Sequence, residues 1–182
     1  MAFLAETLVD EWLNRQGYFT VRGLRDGVSE IDLLGVRPGL NGLEACHVEV
    51  QASFRPVGYI SPIAKDQVAG FAKSRTSAKA RPEAMLERDV NAWVHKKFTS
   101  KSKVAARERA WPGVQWQYVF VHAVVREPRE LSLIAAHGVR VVAFHDVLHA
   151  LRHVSTSPRG GAGTDISEIV EYFSHYGAAG QN

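Results

Sequence analysis

The stretch from Glu30 to Gln51 constrains this chain more than any other. Two apolar-rich runs, Glu30-Ile31-Asp32-Leu33-Leu34-Gly35-Val36 and Leu43 through His47-Val48-Glu49-Val50-Gln51, flank Arg37-Pro38-Gly39-Leu40-Asn41-Gly42. Pro-Gly and Asn-Gly supply the backbone angles of tight turns, so the spacing predicts a β-hairpin. Side chains two apart in a strand share a face. His47, Glu49 and Gln51 therefore point one way, and Val48 and Val50 the other. If the hairpin pairs, Asp32 comes beside Glu49. Two converging carboxylates with an amide next to them form a candidate divalent-cation site, with the Val50 carbonyl as a further ligand. The alternative is two solvated carboxylates on a half-exposed sheet.

The rest of the chain supplies layers for that hairpin. Phe3 to Gln16 reads as a helix, with Leu4, Leu8, Val9, Trp12 and Leu13 on one arc and Gly17 as its stop. Glu6 falls at the border of that arc, either beside the hairpin or as a carboxylate stabilised by the helix dipole. Strands are expected over roughly 18–24, 29–36 and 43–53, with Asp26-Gly27 as a turn. Ser61-Pro62 predicts the start of a helix running through Lys65, Gln67 and Phe71. Pro82 opens another, ending near Phe98, with Leu86, Val90, Trp93 and Val94 on its buried stripe. Residues 99–109 read as a mobile loop or a continuing helix. Beyond them come a strand over 115–125, a helix over 127–137 closed by Gly138, a strand over 139–144 and a helix over 146–151. Strands separated by helices pair in parallel, so the expectation is an α/β layered domain over 1–154. A Ser/Gly/Pro-rich linker is expected over 155–164. Asp165 to Glu168 has capping-box spacing and opens a last helix within 165–182.

Asp32, sixteen intervening residues and Glu49-Val50-Gln51, preceded by a helix that carries Glu6, resemble the signature of the PD-(D/E)XK nuclease superfamily. The resemblance covers roughly residues 3–144. It implies a restriction-endonuclease-like core in the order αβββαβ, a mixed central sheet flanked by helices. It also implies a Mg2+- or Mn2+-dependent endonuclease acting on DNA, with Asp32 and Glu49 on the metal and Glu6 in support. Ile31 stands where the family's proline would be, and Gln51 where its lysine would be. Gln51 carries no charge, but its amide can orient a water. Lys65, one helix later, is the candidate for supplying the missing charge. Gln67 resembles the glutamine of the exonuclease branch, and His47 is a candidate lining residue of the cleft.

Charge is unevenly spread. Residues 1–66 hold six Lys/Arg against nine Asp/Glu, whereas residues 73–109 hold eleven Lys/Arg against four acids. Lys96, Lys97, Lys101, Lys103, Arg107 and Arg109 form a candidate nucleic-acid face, where cations set register on phosphates without reading sequence. Trp111 at its edge either stacks on a base or packs. A solvated helical surface is the alternative. His145, His149 and His153 lie four apart but lack the glutamate of the zinc-protease pattern, and read as ordinary helix residues. With Cys46 alone, no internal disulfide forms, and no run is apolar enough for a bilayer. A cytoplasmic protein without membrane contact is expected, with a homodimer suited to double-strand cutting. The rival expectations are a nuclease-fold DNA-binding module whose catalysis went with the lysine, and a phage or plasmid accessory protein whose basic face binds another protein.

Overall fold

A computed structural model of the chain describes residues 2–27, 29–52 and 56–153. The linker and C-terminal helix expected after residue 154 lie outside the described residues. Helix α1 (Ala2–Arg15) leads into three strands, β1 (Phe19–Asp26), β2 (Ser29–Gly39) and β3 (Gly42–Gln51). Gly17 stops α1 with φ +83, a conformation costly for any residue with a Cβ, while the Tyr18 N–H reaches back to the Leu13 carbonyl at 3.1 Å. The hairpin turns follow the glycines. Gly27 lies between Asp26 and its partner Ser29, and the β2–β3 ladder closes on Gly39 opposite Gly42. Pro38 belongs to β2 itself, next to the turn.

Helices α2 (Lys65–Phe71), α3 (Glu83–Val94) and α4 (Lys101–Ala110) follow, with a π-helical turn at His95–Thr99 between the last two. Then come β4 (Trp116–His122), α5 (Pro128–Ala136), β5 (Val139–Ala143) and α6 (Phe144–His153). The sheet order is β1-β2-β3-β4-β5, antiparallel among the first three strands and parallel from β3 onward. The chain is thus an α/β protein with a mixed five-stranded sheet flanked by helices, as expected. The long crossovers explain the parallel half: a strand returning after helices must run the same way as the one it left.

Strand β3 lies at the centre of the sheet and is buried on both faces. Cys46, Val48 and Val50 pack with Leu33, Val119 and Val121 against α1 and α6. The Arg15 guanidinium donates to the Leu151 carbonyl at 2.9 Å and ties those helices together. On the opposite face Phe120 meets Trp93, Phe98 and Ile134. There Ala106 of α4 covers Ile31 and Leu34.

One boundary differs from expectation. Ser61 does not cap a helix, because its N–H and hydroxyl are both held by the Glu130 carboxylate, which also accepts from the Ile60 N–H at 2.5 Å. A buried carboxylate that needs donors outcompetes a local cap, so α2 begins only at Lys65. The helix opened by Pro82 ends near Phe98 as expected, its last turn being the π turn to Thr99. Extended Ser100, with ψ 150, separates it from α4, so residues 101–109 form a helix of their own. No helix among the described residues is long and apolar enough to cross a membrane.

Candidate functional site: a carboxylate cluster at the kink of the hairpin

Strand β2 does not alternate regularly at Asp32. Ile31 and Leu34, three residues apart, share one cluster, while Leu33 lies in the cluster on the other face. Neighbouring β1 shows the cause. Arg22 pairs with Leu33 and Leu24 with Ile31, but Gly23, between them, has φ +62 and no partner in register. The register is unchanged on either side, so this is one missing rung at a left-handed glycine, opposite Asp32. The β2–β3 ladder ends at Leu33 opposite Val48, so the next N–H of β3, that of Val50, would go unanswered. The Asp32 carboxylate accepts it at 2.7 Å. This contact puts Asp32 at the root of Glu49, as the hairpin reading expected.

Glu49 is buried and fully engaged. One oxygen pairs with Lys97 at 2.5 Å, and the other takes both Lys103 and the His47 ring, the latter at 3.0 Å. Burial works against its ionisation. The hydrogen bond from His47 and the charges of Lys97 and Lys103 outweigh that cost and hold its pKa at about 2. The His47 tautomer follows from its partners. Arg107 can only donate, and it reaches His47 Nδ1 at 2.8 Å, so Nδ1 accepts and Nε2–H donates to Glu49. Burial pushes His47 down to about 4, leaving it neutral at neutral pH. Arg107 is pinned in turn by the Phe98 carbonyl at 2.7 Å.

Asp32 behaves oppositely. Burial, reinforced by the charge of Glu49, raises it to about 6, against the pull of Lys97 and the Val50 N–H. Glu6, half-buried on α1, adds its charge to the same field. Lys97 is raised, because the Glu49 and Asp32 carboxylates overcome its burial. Glu6, Asp32, Glu49 and Lys97 thus form one electrostatic unit.

The other expected residues divide. Gln51 ends β3 half-buried, and its side chain makes no hydrogen bond among the described residues. The Val50 side chain packs in the α1 core, while its N–H serves Asp32. Lys65 is exposed at the start of α2, with no ion pair or hydrogen bond to Asp32 or Glu49. Gln67 is half-buried on that helix, and its side-chain oxygen has no partner among the described residues.

Within the basic stretch, Lys97, Lys103 and Arg107 turn inward onto Glu49 and His47. Lys96 and Lys101 remain exposed, and Arg109 pairs with Asp26 at 2.9 Å. Trp111 is partly exposed. His145 and His149 stack at 6.4 Å on α6, with His145 also 3.6 Å from Asp146, and the His153 side chain lies outside the described residues. Cys46 is a buried packing residue whose thiol burial pushes up to about 11.

The inward cations were the part hardest to see in the sequence. Lys103 and Arg107 stand four apart and flank apolar Ala106, which marks a helix face turned inward. Lys97 carries no such signal, since the π turn shifts it out of phase with both neighbouring helices. No family model, curated protein or solved structure matches the chain, so any functional reading rests on these residues and their geometry.

Proposed function

We propose that this chain is a divalent-metal-dependent nuclease of the restriction-endonuclease-like type, hydrolysing DNA phosphodiester bonds as an endonuclease. What carries the reading is the meeting of Asp32 and Glu49, from adjoining strands, where Asp32 is buried on the Val50 N–H beside the charge of Glu49. The element order, a helix, three antiparallel strands, helices and a parallel strand, agrees with it.

The residues fit a hard cation. Among the described residues no group of three His, Cys, Asp or Glu side chains is gathered closely enough to hold a metal by itself. Magnesium, however, is commonly bound through one or two carboxylates, with water and substrate oxygens completing its shell. Asp32 and Glu49 would hold it, and the raised pKa of Asp32 is the mark of a carboxylate that gains by meeting a cation. Bound there, Mg2+ or Mn2+ supplies charge stabilisation at the scissile phosphate and the leaving oxygen. In the net reaction a water oxygen bonds to phosphorus as the P–O bond to the leaving sugar oxygen breaks. The water gives up a proton and the leaving oxygen gains one. Gln51, on the face of Glu49, can accept and donate a hydrogen bond to position that water. His47, locked by Arg107, holds Glu49 in place from behind.

A second reading draws on the saturation of Glu49. Its two oxygens already face Lys97, Lys103 and His47, which suits a nuclease fold that binds DNA without cutting it. Plasmid nicking with Mg2+ or Mn2+ separates the two. The nuclease reading expects nicking by the wild type and a loss of at least about a hundredfold in Asp32→Asn. Equal nicking by both proteins would mean a contaminant. DNA binding with no nicking under either metal would favour the binding module. Asp32→Asn is a better control than Glu49→Ala, which strands the buried Lys103 ammonium and costs about 3–5 kcal/mol of stability.

A further inference from the structure

The two lysines on Glu49 are not equivalent. Lys103 is 4% exposed and also donates to the Glu30 carbonyl, so its ammonium is spent on internal partners. Lys97 is 28% exposed and makes a single hydrogen bond, to the Glu49 oxygen that neither His47 nor Lys103 takes. An ammonium has three donors, so two of those on Lys97 remain unspent. The field around Lys97 also reaches Asp32 and Glu6. It stands on the π-helical turn, and such single turns of π-helix are frequent at functional sites because they break the phase of a helix. Here the break allows Lys97 to reach Glu49 while Phe98, the next residue, packs fully buried against His47. Gln51, the neutral side chain on the face of Glu49, leaves the strand without a cation of its own.

Building on the nuclease reading, we propose that Lys97 is the catalytic cation of this site. It rests on Glu49 in the metal-free protein and turns to the scissile phosphate when a divalent cation takes that carboxylate oxygen. Lys103 is then a positioning residue that keeps Glu49 in place through the exchange. Two opposed consequences follow for Lys97→Ala. Removing a cation that competes for Glu49 strengthens metal binding, while removing a charge from the reacting phosphate slows turnover. A lysine that merely braced the fold would weaken both.

The test measures Mn2+ binding by titration calorimetry and plasmid nicking for the wild type, Lys97→Ala and the double variant Lys97→Ala/Gln51→Lys, with circular dichroism to verify folding. Expected are a Kd for Mn2+ several-fold lower in Lys97→Ala and a kcat lower by about a hundredfold, with KM for DNA little changed. The double variant, which returns an ammonium to the face of Glu49 from the strand, should recover at least about tenfold of the lost kcat. Nicking by Lys97→Ala at the wild-type rate would overturn the role of Lys97 alone. So would weaker Mn2+ binding in that variant. A wild type that binds Mn2+ but does not nick would defeat the nuclease reading itself, and the catalytic role with it.

Discussion

At the scale of single residues, the site is governed by three side chains that respond to burial differently. His47 stays neutral because it is buried, and Arg107 occupies the nitrogen a second proton would need. Its folded pKa, about 4, lies below the ordinary 6.5, so the unfolded chain takes up a proton first. Stability from this group is complete above pH 6.5 and is lost as pH falls towards 4, about 3 kcal/mol in all. Glu49, depressed to about 2, adds a loss that begins near pH 4.5 and runs lower. Asp32 works the other way. Its folded pKa is raised to about 6, so protonation between pH 6 and 4 favours the folded state and masks part of the His47 effect. Asp32→Asn removes that compensation. Urea unfolding should therefore show a steeper fall in midpoint between pH 6.5 and 4.5 for Asp32→Asn than for the wild type. An equal or shallower fall would contradict the opposed titrations.

At the scale of elements, the kink between β1 and β2 matters more than the hairpin turn. Gly23 takes φ +62, and a Cβ there would stand 3.4 Å from the Glu30 carboxylate. Space is therefore adequate, and the obstacle is the left-handed backbone. Gly23→Ala should cost about 1–2 kcal/mol. It should also weaken Mn2+ binding, because relaxing the kink returns Asp32 to regular alternation. Denaturation midpoints and calorimetry check the two effects separately, and unchanged stability would mean the strand tolerates regular geometry. The π turn is the second such device. Gly23 drops one rung of the β1–β2 ladder without shifting its register, whereas the π turn widens a helical turn and carries Lys97 to Glu49.

At the scale of the whole molecule, the sheet changes from antiparallel to parallel pairing at β3, and the carboxylates gather at that central strand. The positive charge of residues 73–109 splits between interior and surface. Lys97, Lys103 and Arg107 turn onto the buried Glu49 and His47, while Lys96 and Lys101 stay exposed. If DNA follows that surface, the Lys96→Gln/Lys101→Gln double variant should bind more weakly. Its slope of log K against log salt should be shallower by about 1.8, from about 0.9 per lost phosphate contact. An unchanged slope would remove these two lysines from the interface.

Local rules read from the sequence carried most of the fold. Turn glycines, helix stripes and the two-residue period of β3 are consequences of neighbouring residues, so the hairpin, the mixed sheet and the approach of Asp32 to Glu49 were legible. The Ser61-Pro62 helix start was misread, because Glu130, 69 residues away, claims the serine. The basic stretch was legible as charge but not as direction. Whether a lysine faces solvent or a buried carboxylate depends on what the fold sets opposite it, and Lys97 and Glu49 are 48 residues apart in the chain. Sequence set the partners' chemistry. Only packing, through a kinked strand and one widened helical turn, decided which of them met, since a one-step break in periodicity leaves no pattern in the residues that make it.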